Sequence, residues 1–124
     1  MQAMMLRMEH HKLVLPEHLN HYGFLFGGYL LKWVDEVAWI AASLDYPSFK
    51  FVTVGMDRVE FHHSVHQGTI LTFSADKTRV GNTSVRYDVD VWQGAGGGRQ
   101  SVFSTVVTFV RIGEDGEKQA LSAT

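Results

Sequence analysis

The sequence predicts an α+β fold in which a curved antiparallel sheet wraps around one long helix, and three observations lead there. The segment from Gly27 to Asp45 carries helical periodicity and is apolar around most of its circumference. After Pro47 the chain reads as consecutive strands separated by short turn signals, the pattern of an antiparallel sheet. With 124 residues the chain has room for one core, so helix and strands must bury one another in a single domain spanning 1–124.

Met5 to Leu15 alternates loosely between apolar and polar residues and reads as a first strand. Pro16 to Tyr22 is polar and reads as a loop, and Gly23 introduces the short apolar run Phe24-Leu25-Phe26. In the helix, Leu30, Leu31, Val34, Val37, Ala38 and Ala41 recur at three- and four-residue spacing, while Trp33, Trp39 and Ile40 extend the apolar surface. Such a helix is expected to be enclosed by other structure. Tyr46-Pro47-Ser48 stops it.

Phe51 to Phe61 is rich in β-branched and aromatic residues, with Gly55 a candidate bulge. Thr69 to Val80 follows a Gln67-Gly68 turn, and Gly81-Asn82 is a tight-turn signal. From Ser84 to Trp92, Val85, Tyr87, Val89 and Val91 alternate with polar residues. The glycines between Gly94 and Gly98 lie between strands and read as a hairpin tip, not a phosphate loop. Ser101 to Ile112 is a last strand, with Val102, Val106, Thr108 and Val110 on one parity, and Gly113 to Thr124 reads as a turn and a loosely held tail. A half-shell of this kind leaves strand edges open, and pairing them with a second copy is a common remedy.

Composition narrows the function classes. A hydrophobic share of 45% with 19% charged residues is that of a globular chain, and a net charge of −2 argues against a general nucleic-acid binder. The absence of cysteine removes disulfides, thiolate metal sites and a thiol nucleophile, and suits a reducing cytoplasm. Arg7, Glu9, His10 and His11 interrupt the N-terminus where a secretory signal would be apolar. The apolar stretch from Gly27 to Leu44 contains Lys32, Asp35 and Glu36, which is too polar for a membrane span. A cytoplasmic protein acting on neither membrane nor nucleic acid is the expectation.

The residues with chemistry to offer lie between Asn20 and Asp35. Gly27-Gly28 at a helix start lets the backbone approach a bound group, and the first-turn N–H donors lack intrahelical partners. With the helix dipole they form a site for a polarised oxygen such as a tetrahedral oxyanion, although a tight loop-to-helix junction would look the same. Asp35 follows Gly28 by seven residues, two turns later on a similar face, among Leu31, Lys32, Ala38 and Trp39. Partial enclosure by apolar groups suits a general base, and a surface pair with Lys32 is the alternative. Glu36, four residues after Lys32, reads as a solvated ion pair with it.

The stretch PEHLNHYGFLFGGYLLKWVDEVAWIAA resembles the acyl-CoA hydrolase branch of the hot-dog thioesterases, which includes the bacterial YciA-type and mammalian brain acyl-CoA hydrolases. The resemblance rests on Asn20, Gly23, Phe26, Gly27, Gly28 and Asp35, and continues through MDRVEFHHSV, GNTSVRYDVDV and TVVTFVRI. It implies a hot-dog fold, hydrolysis of acyl-CoA to carboxylic acid and coenzyme A, and a homodimer that can assemble into hexamers. It also implies a shared site in which Gly27-Gly28 of one subunit faces Asp35 of the other. Asp35 would activate water or attack the thioester itself, with Asn20 in the site and the backbone N–H of Gly28 or its neighbour polarising the carbonyl. No cofactor beyond the coenzyme A moiety of the substrate is implied. Gly81, Asn82, Thr83 and Ser84 match a segment near the coenzyme arm, and Arg58, Lys77, Arg79 and Arg86 are available cations for its phosphates, with Arg58 and Arg86 taken as the candidates.

Two positions depart from the family pattern: Phe24 stands where some relatives carry a functional Asn, and Ser64 where a proline is usual. The histidines carry little weight. Extended as strand, His62 and His66 share a face while His63 faces the other way; with no cysteine or carboxylate among them they read as structural or surface residues, as do His10 and His11, and no metal site is assigned. Phe49, Phe51, Phe61, Phe73, Phe103 and Phe109 read as core or interface. Two other functions fit the same fold: a non-catalytic acyl-CoA sensing domain, and a dehydratase, for which His18 and His21 do not supply the motif.

Overall fold

The computed structural model of the protein describes residues 8–122. Its elements are β1 (Met8–Leu13), a 3-10 turn (Pro16–His18), α1 (Gly27–Asp45), β2 (Lys50–Phe61), β3 (Ile70–Val80), β4 (Ser84–Gln93), a short 3-10 turn (Gly96–Gly98) and β5 (Gln100–Ile112). The strands form one sheet in the order β1-β3-β4-β5-β2, antiparallel throughout. The consecutive hairpins β3-β4-β5 therefore make its centre, and β1 and β2 its edges.

α1 lies against one face of this sheet. Leu30, Trp33, Val34, Val37, Ala38, Ala41 and Ala42 are its buried residues, the stripe that the periodicity marks out. The sheet answers with Leu71, Phe73 and Ala75 of β3 and Val85, Tyr87, Val89 and Val91 of β4. On β5 the core-facing parity is Phe103, Thr105, Val107 and Phe109, while Val102 and Val110 are buried as well.

α1 ends where Tyr46, the residue before Pro47, leaves helical geometry at φ −130° and ψ 74°. Its last turn is fastened to the sheet: the buried Tyr87 hydroxyl donates to Asp45 Oδ2 at 2.6 Å, and Lys77 Nζ stands 3.9 Å from the same oxygen. A carboxylate at a helix C-terminus faces the negative end of the dipole, and this donor and this cation offset that cost. Burial, and then the Asp45 carboxylate, push the Tyr87 phenol well above its ordinary pKa.

The sequence reading holds for every main element, with five corrections. β1 ends at Leu13 and not at Leu15, while the expected strand residues Met5 to Arg7 lie outside the described residues. β2 stops at Phe61, so His62, His63 and His66 are not on a strand and the shared-face argument for them lapses. Lys32 and Glu36 are both exposed, and among the described residues no ion pair joins them. α1 is not fully enclosed within one chain, since Trp39 is 45% and Leu44 63% exposed.

The tail is the fifth. Gly113 to Ser122 is not loosely held: Gln119 N–H donates to Arg111 O at 2.9 Å, and Leu121 N–H to Asn82 O at 2.8 Å. Arg111 lies over the Phe49 ring at 3.5 Å and donates through Nη1 to Ala120 O at 2.8 Å. Leu121 is buried, a contribution of about 1.5–3 kcal/mol for a side chain of its size. One buried leucine in a polar tail gives no periodic signal.

The Gly55 bulge is present as a register shift between Thr53 and Gly55. A second shift between Asp57 and Glu60 was not expected, and Arg58 sits there in the left-handed region at φ 54°.

Candidate active site

The loop that delivers the chain to α1 is organised by Asn20. Its Oδ1 accepts the backbone N–H groups of Tyr22 at 2.9 Å and Phe24 at 3.1 Å, and its own N–H donates to Phe24 O at 2.7 Å. Gly23 turns the loop at φ 89°, a conformation that a residue with a side chain adopts only under strain. Leu25 N–H then donates to Val65 O and Phe26 N–H to His18 O. His18 is buried, with Nδ1 accepting from Leu15 N–H at 3.0 Å and its ring edge-on to Tyr29 and Trp33 at 4.9 and 4.8 Å. It is therefore a packing residue.

The first helical residue is Gly27, and the N-cap is Phe26, whose side chain has no oxygen to accept a first-turn N–H. The Phe26 carbonyl takes the N–H groups of Tyr29 and Leu30 at 3.0 and 3.4 Å, which leaves those of Gly27 and Gly28 pointing out of the helix start. The Phe26 ring lies against Gly28 so closely that a Cβ there would stand 2.6 Å from Cε2. Beside this helix start is a cavity of about 340 Å³ lined by Asn20, Phe24, Leu30, Phe61, His63 and Val65, among others.

Asp35 is half-buried on the side of α1 that faces β2, where Thr53 Oγ1 donates to its Oδ1 at 2.7 Å. One carboxylate oxygen is thus held by a hydrogen bond from the neighbouring strand. Sequence reasoning missed Thr53; a single threonine in a β-branched strand carries no local signal, and the contact spans 18 residues. Gly28 and Asp35 are seven residues apart on one helix, a rise of about 10 Å at 1.5 Å per residue. Within one chain they are too far apart to meet the same carbonyl carbon, which would need both within about 3 Å.

The other candidates separate. At the β3–β4 turn the backbone is committed: Gly81 N–H donates to Ser84 O, Thr83 O accepts from Arg111 N–H and Asn82 O from Leu121 N–H. The Thr83 and Ser84 side chains are half-buried. Arg58, Arg79 and Arg86 come together in one cleft, but on the face of the sheet away from α1, since Arg86 alternates with the buried Val85 and Tyr87. The sheet therefore stands between them and the Asp35 of the same chain. Lys77 is apart from all three, at the end of α1, with its Nζ over the Tyr46 ring at 4.8 Å. Among the described residues no three His, Asp or Glu side chains converge as a metal-ligand set, and no helix is long and apolar enough to cross a membrane.

Comparison with known proteins places this geometry. Residues 22–99 match the family described as the thioesterase superfamily. An uncharacterized acyl-CoA thioester hydrolase of Zymomonas mobilis is 31% identical over 105 residues, covering 83% of this chain and 70% of that protein. The human cytosolic acyl coenzyme A thioester hydrolase is 31% identical over 108 residues, 84% of this chain but 28% of the human protein. The chain thus spans under a third of that longer relative. Among solved structures, a hexameric hotdog fold thioesterase of Campylobacter jejuni superposes with a TM-score of 0.79 at 32% identity, over 90% of this chain and 87% of the other. A hexameric thioesterase from Yersinia pestis superposes with a TM-score of 0.83 at 26% identity, over 91% and 93%. The sheet and the helix packed on its face are a hot-dog fold, and the chain belongs to the thioesterase superfamily.

Proposed function

We propose that the protein hydrolyses acyl-CoA thioesters to the carboxylic acid and free coenzyme A, at sites that each combine residues of two copies of the chain. The observation that carries this reading is the pairing of a held carboxylate, Asp35 on Thr53, with an uncapped helix start at Gly27-Gly28. Asp35 supplies the basic oxygen, acting on a water or directly on the thioester carbonyl carbon. The carbonyl oxygen gains negative charge as the tetrahedral intermediate forms, and the Gly28 N–H is the donor for it. Collapse of the intermediate breaks the carbon–sulfur bond and releases coenzyme A, with no further cofactor.

The shared site follows from distance. The rise of about 10 Å between Gly28 and Asp35 is too long for one chain to close, and β2, an edge strand with no outer neighbour among the described residues, is the natural meeting line. Thr53 and Phe61 are equally far from Asp57 along β2, so antiparallel pairing of two β2 strands centred on Asp57 sets Thr53 of one copy opposite Phe61 of the other. Phe61 lies beside Gly27, its ring 3.4 Å from where a Cβ would be, so this pairing brings the second copy's helix start toward the first copy's Asp35. It also covers Val54, Phe61 and Trp39, which one chain leaves 57%, 54% and 45% exposed.

Asn20 shapes the loop around this site. Thr83 and Ser84, with Gly81 and Asn82, are assigned to the coenzyme arm on the resemblance stated above. A homodimer is the functional unit, a hexamer built from three of them a further level, and the cytoplasm its place of action. The direct test is thiol release from a panel of acyl-CoAs: Asp35→Asn should lower turnover by roughly a hundredfold or more, the scale of a lost general base. Full activity in that variant would overturn the reading.

A further inference from the structure

The turn between β3 and β4 is held more firmly than a hairpin tip requires. Loop tips are ordinarily where order is lost first, yet three consecutive carbonyls of this one are taken by protein donors. Asn82 O accepts from Leu121 N–H at 2.8 Å, Thr83 O from Arg111 N–H at 2.9 Å and Ser84 O from Gly81 N–H at 2.7 Å. The side chains of the same turn are uncommitted. Among the described residues neither the half-buried hydroxyls of Thr83 and Ser84 nor the exposed Asn82 amide forms a hydrogen bond. Gly81 widens that opening. Its backbone is not in the left-handed region, so the turn geometry does not demand a glycine, but a Cβ there would stand 2.8 Å from Ser84 Oγ. Glycine thus leaves uncovered a hydroxyl that any other residue would crowd. A fixed backbone carrying free hydroxyls is preorganised for a ligand, because little is left to order on binding.

The fixing comes from the tail that follows β5. Residues 114–120 are all exposed, and they lead to Leu121, which is 7% exposed and joins the hydrophobic core. Leu121 is therefore the anchor, and its N–H is the group that reaches Asn82. The tail also grips the residue that holds Thr83: Arg111 O accepts from Gln119 N–H at 2.9 Å, and Arg111 Nη1 donates to Ala120 O at 2.8 Å. Within the tail, Gly113 N–H donates to Glu117 O and Gly116 N–H to Gly113 O, which closes it into a compact turn. Two of the three bonds on the β3–β4 turn thus depend on where the tail lies.

We propose that Leu121 is a positioning residue for the substrate. Through its N–H on Asn82, and through the tail's grip on Arg111, it holds Thr83 and Ser84 in the conformation that binds the coenzyme arm. This rests on the assignment of that turn made under the proposed function. It adds that affinity for the substrate is set by a tail whose own contacts are with the turn and with Arg111.

The test is calorimetric titration of the full chain with coenzyme A, paired with steady-state hydrolysis of the acyl-CoA that wild type turns over fastest. Leu121→Ala should weaken coenzyme A and raise KM by about tenfold each, the scale of one lost hydrogen bond to the ligand, with kcat held. Loss of folded protein alone would do the reverse, lowering kcat with KM unchanged. Leu121→Met, which nearly keeps the buried volume, should restore both values. Gln119→Pro removes the donor to Arg111 O from an exposed position and should act in the same direction, which decides the matter even if Leu121→Ala does not fold. In a protein already lacking both turn hydroxyls, Thr83→Ala with Ser84→Ala, adding Leu121→Ala should raise KM little further. Wild-type coenzyme A affinity and KM in the tail variants would overturn the proposal, as would full additivity with the turn variants, and either result leaves the hydrolysis standing. Failure of wild type to bind coenzyme A would overturn the proposed function, and this proposal with it.

Discussion

Replacing Gly28 with alanine should separate the stability of this protein from its chemistry. The added Cβ would stand 2.6 Å from Phe26 Cε2 and 3.1 Å from Cδ2, against ordinary contacts near 3.5 Å or more. The ring must move by about 1 Å, and it can, because Phe26 is 52% exposed and the obstruction is an aromatic edge, not backbone. Set against that small cost is a gain of up to about 1 kcal/mol from replacing glycine by alanine in a helix. The thermal midpoint should therefore be unchanged or slightly higher. Activity should move the other way. The methyl group and the displaced ring occupy the space through which a carbonyl reaches the Gly28 N–H, and a misplacement of about 1 Å costs on the order of a hundredfold in rate. A melt by circular dichroism and thiol release from acyl-CoA read the two effects on the same sample. A variant with wild-type turnover would remove Gly28 from the site. One that fails to fold would show that the Phe26 contact matters more than its exposure suggests.

Two other substitutions bear on the account. Thr53→Val removes the 2.7 Å hydrogen bond to Asp35 at nearly constant volume; turnover should fall about tenfold, the lower end for a hydrogen bond to a charged group, with KM little changed. Thr53→Ser, which keeps the hydroxyl, should restore it, and equal rates in all three proteins would exclude a positioning role. Tyr87→Phe takes the donor from Asp45 and should cost about 1–2 kcal/mol at neutral pH. Because the folded protein holds the Tyr87 proton more tightly than the unfolded chain does, wild type keeps that contribution below about pH 10, the ordinary tyrosine value, and loses it as pH rises through and beyond that point. Melting across pH 8 to 11 should show a steeper decline for wild type than for Tyr87→Phe, and parallel curves would count against the linkage.

The fold was legible because its strongest features are periodic. Val85, Tyr87, Val89 and Val91 alternate without interruption, and the stripe on α1 repeats often enough to define both length and buried face. What was illegible depends on single contacts between distant segments. Thr53 reaches Asp35 because β2 passes beneath α1, and Leu121 is buried because the tail turns back to Asn82. Neither residue differs from its neighbours in any local pattern. Asp35 and the glycines were found by spacing and resemblance, but spacing put them on a similar face of one helix, and only the helical rise shows that one chain cannot bring them together. The arginines were recognised as a set of cations; their common location on the outer face needed the strand register, which places Arg79 across from Arg86.

The claim on which the rest depends is that each site takes its helix start from one copy and its Asp35 from another. Asp35→Asn and Gly28→Ala proteins, each inactive alone, can be mixed under conditions that allow subunit exchange. If the site is shared, a mixed dimer carries one site with both residues intact and one with neither. Random exchange should then restore about a quarter of wild-type activity in a two-fold symmetric dimer. If exchange is verified by mass and activity stays at the level of the separate variants, each site is built from a single chain and the account is wrong.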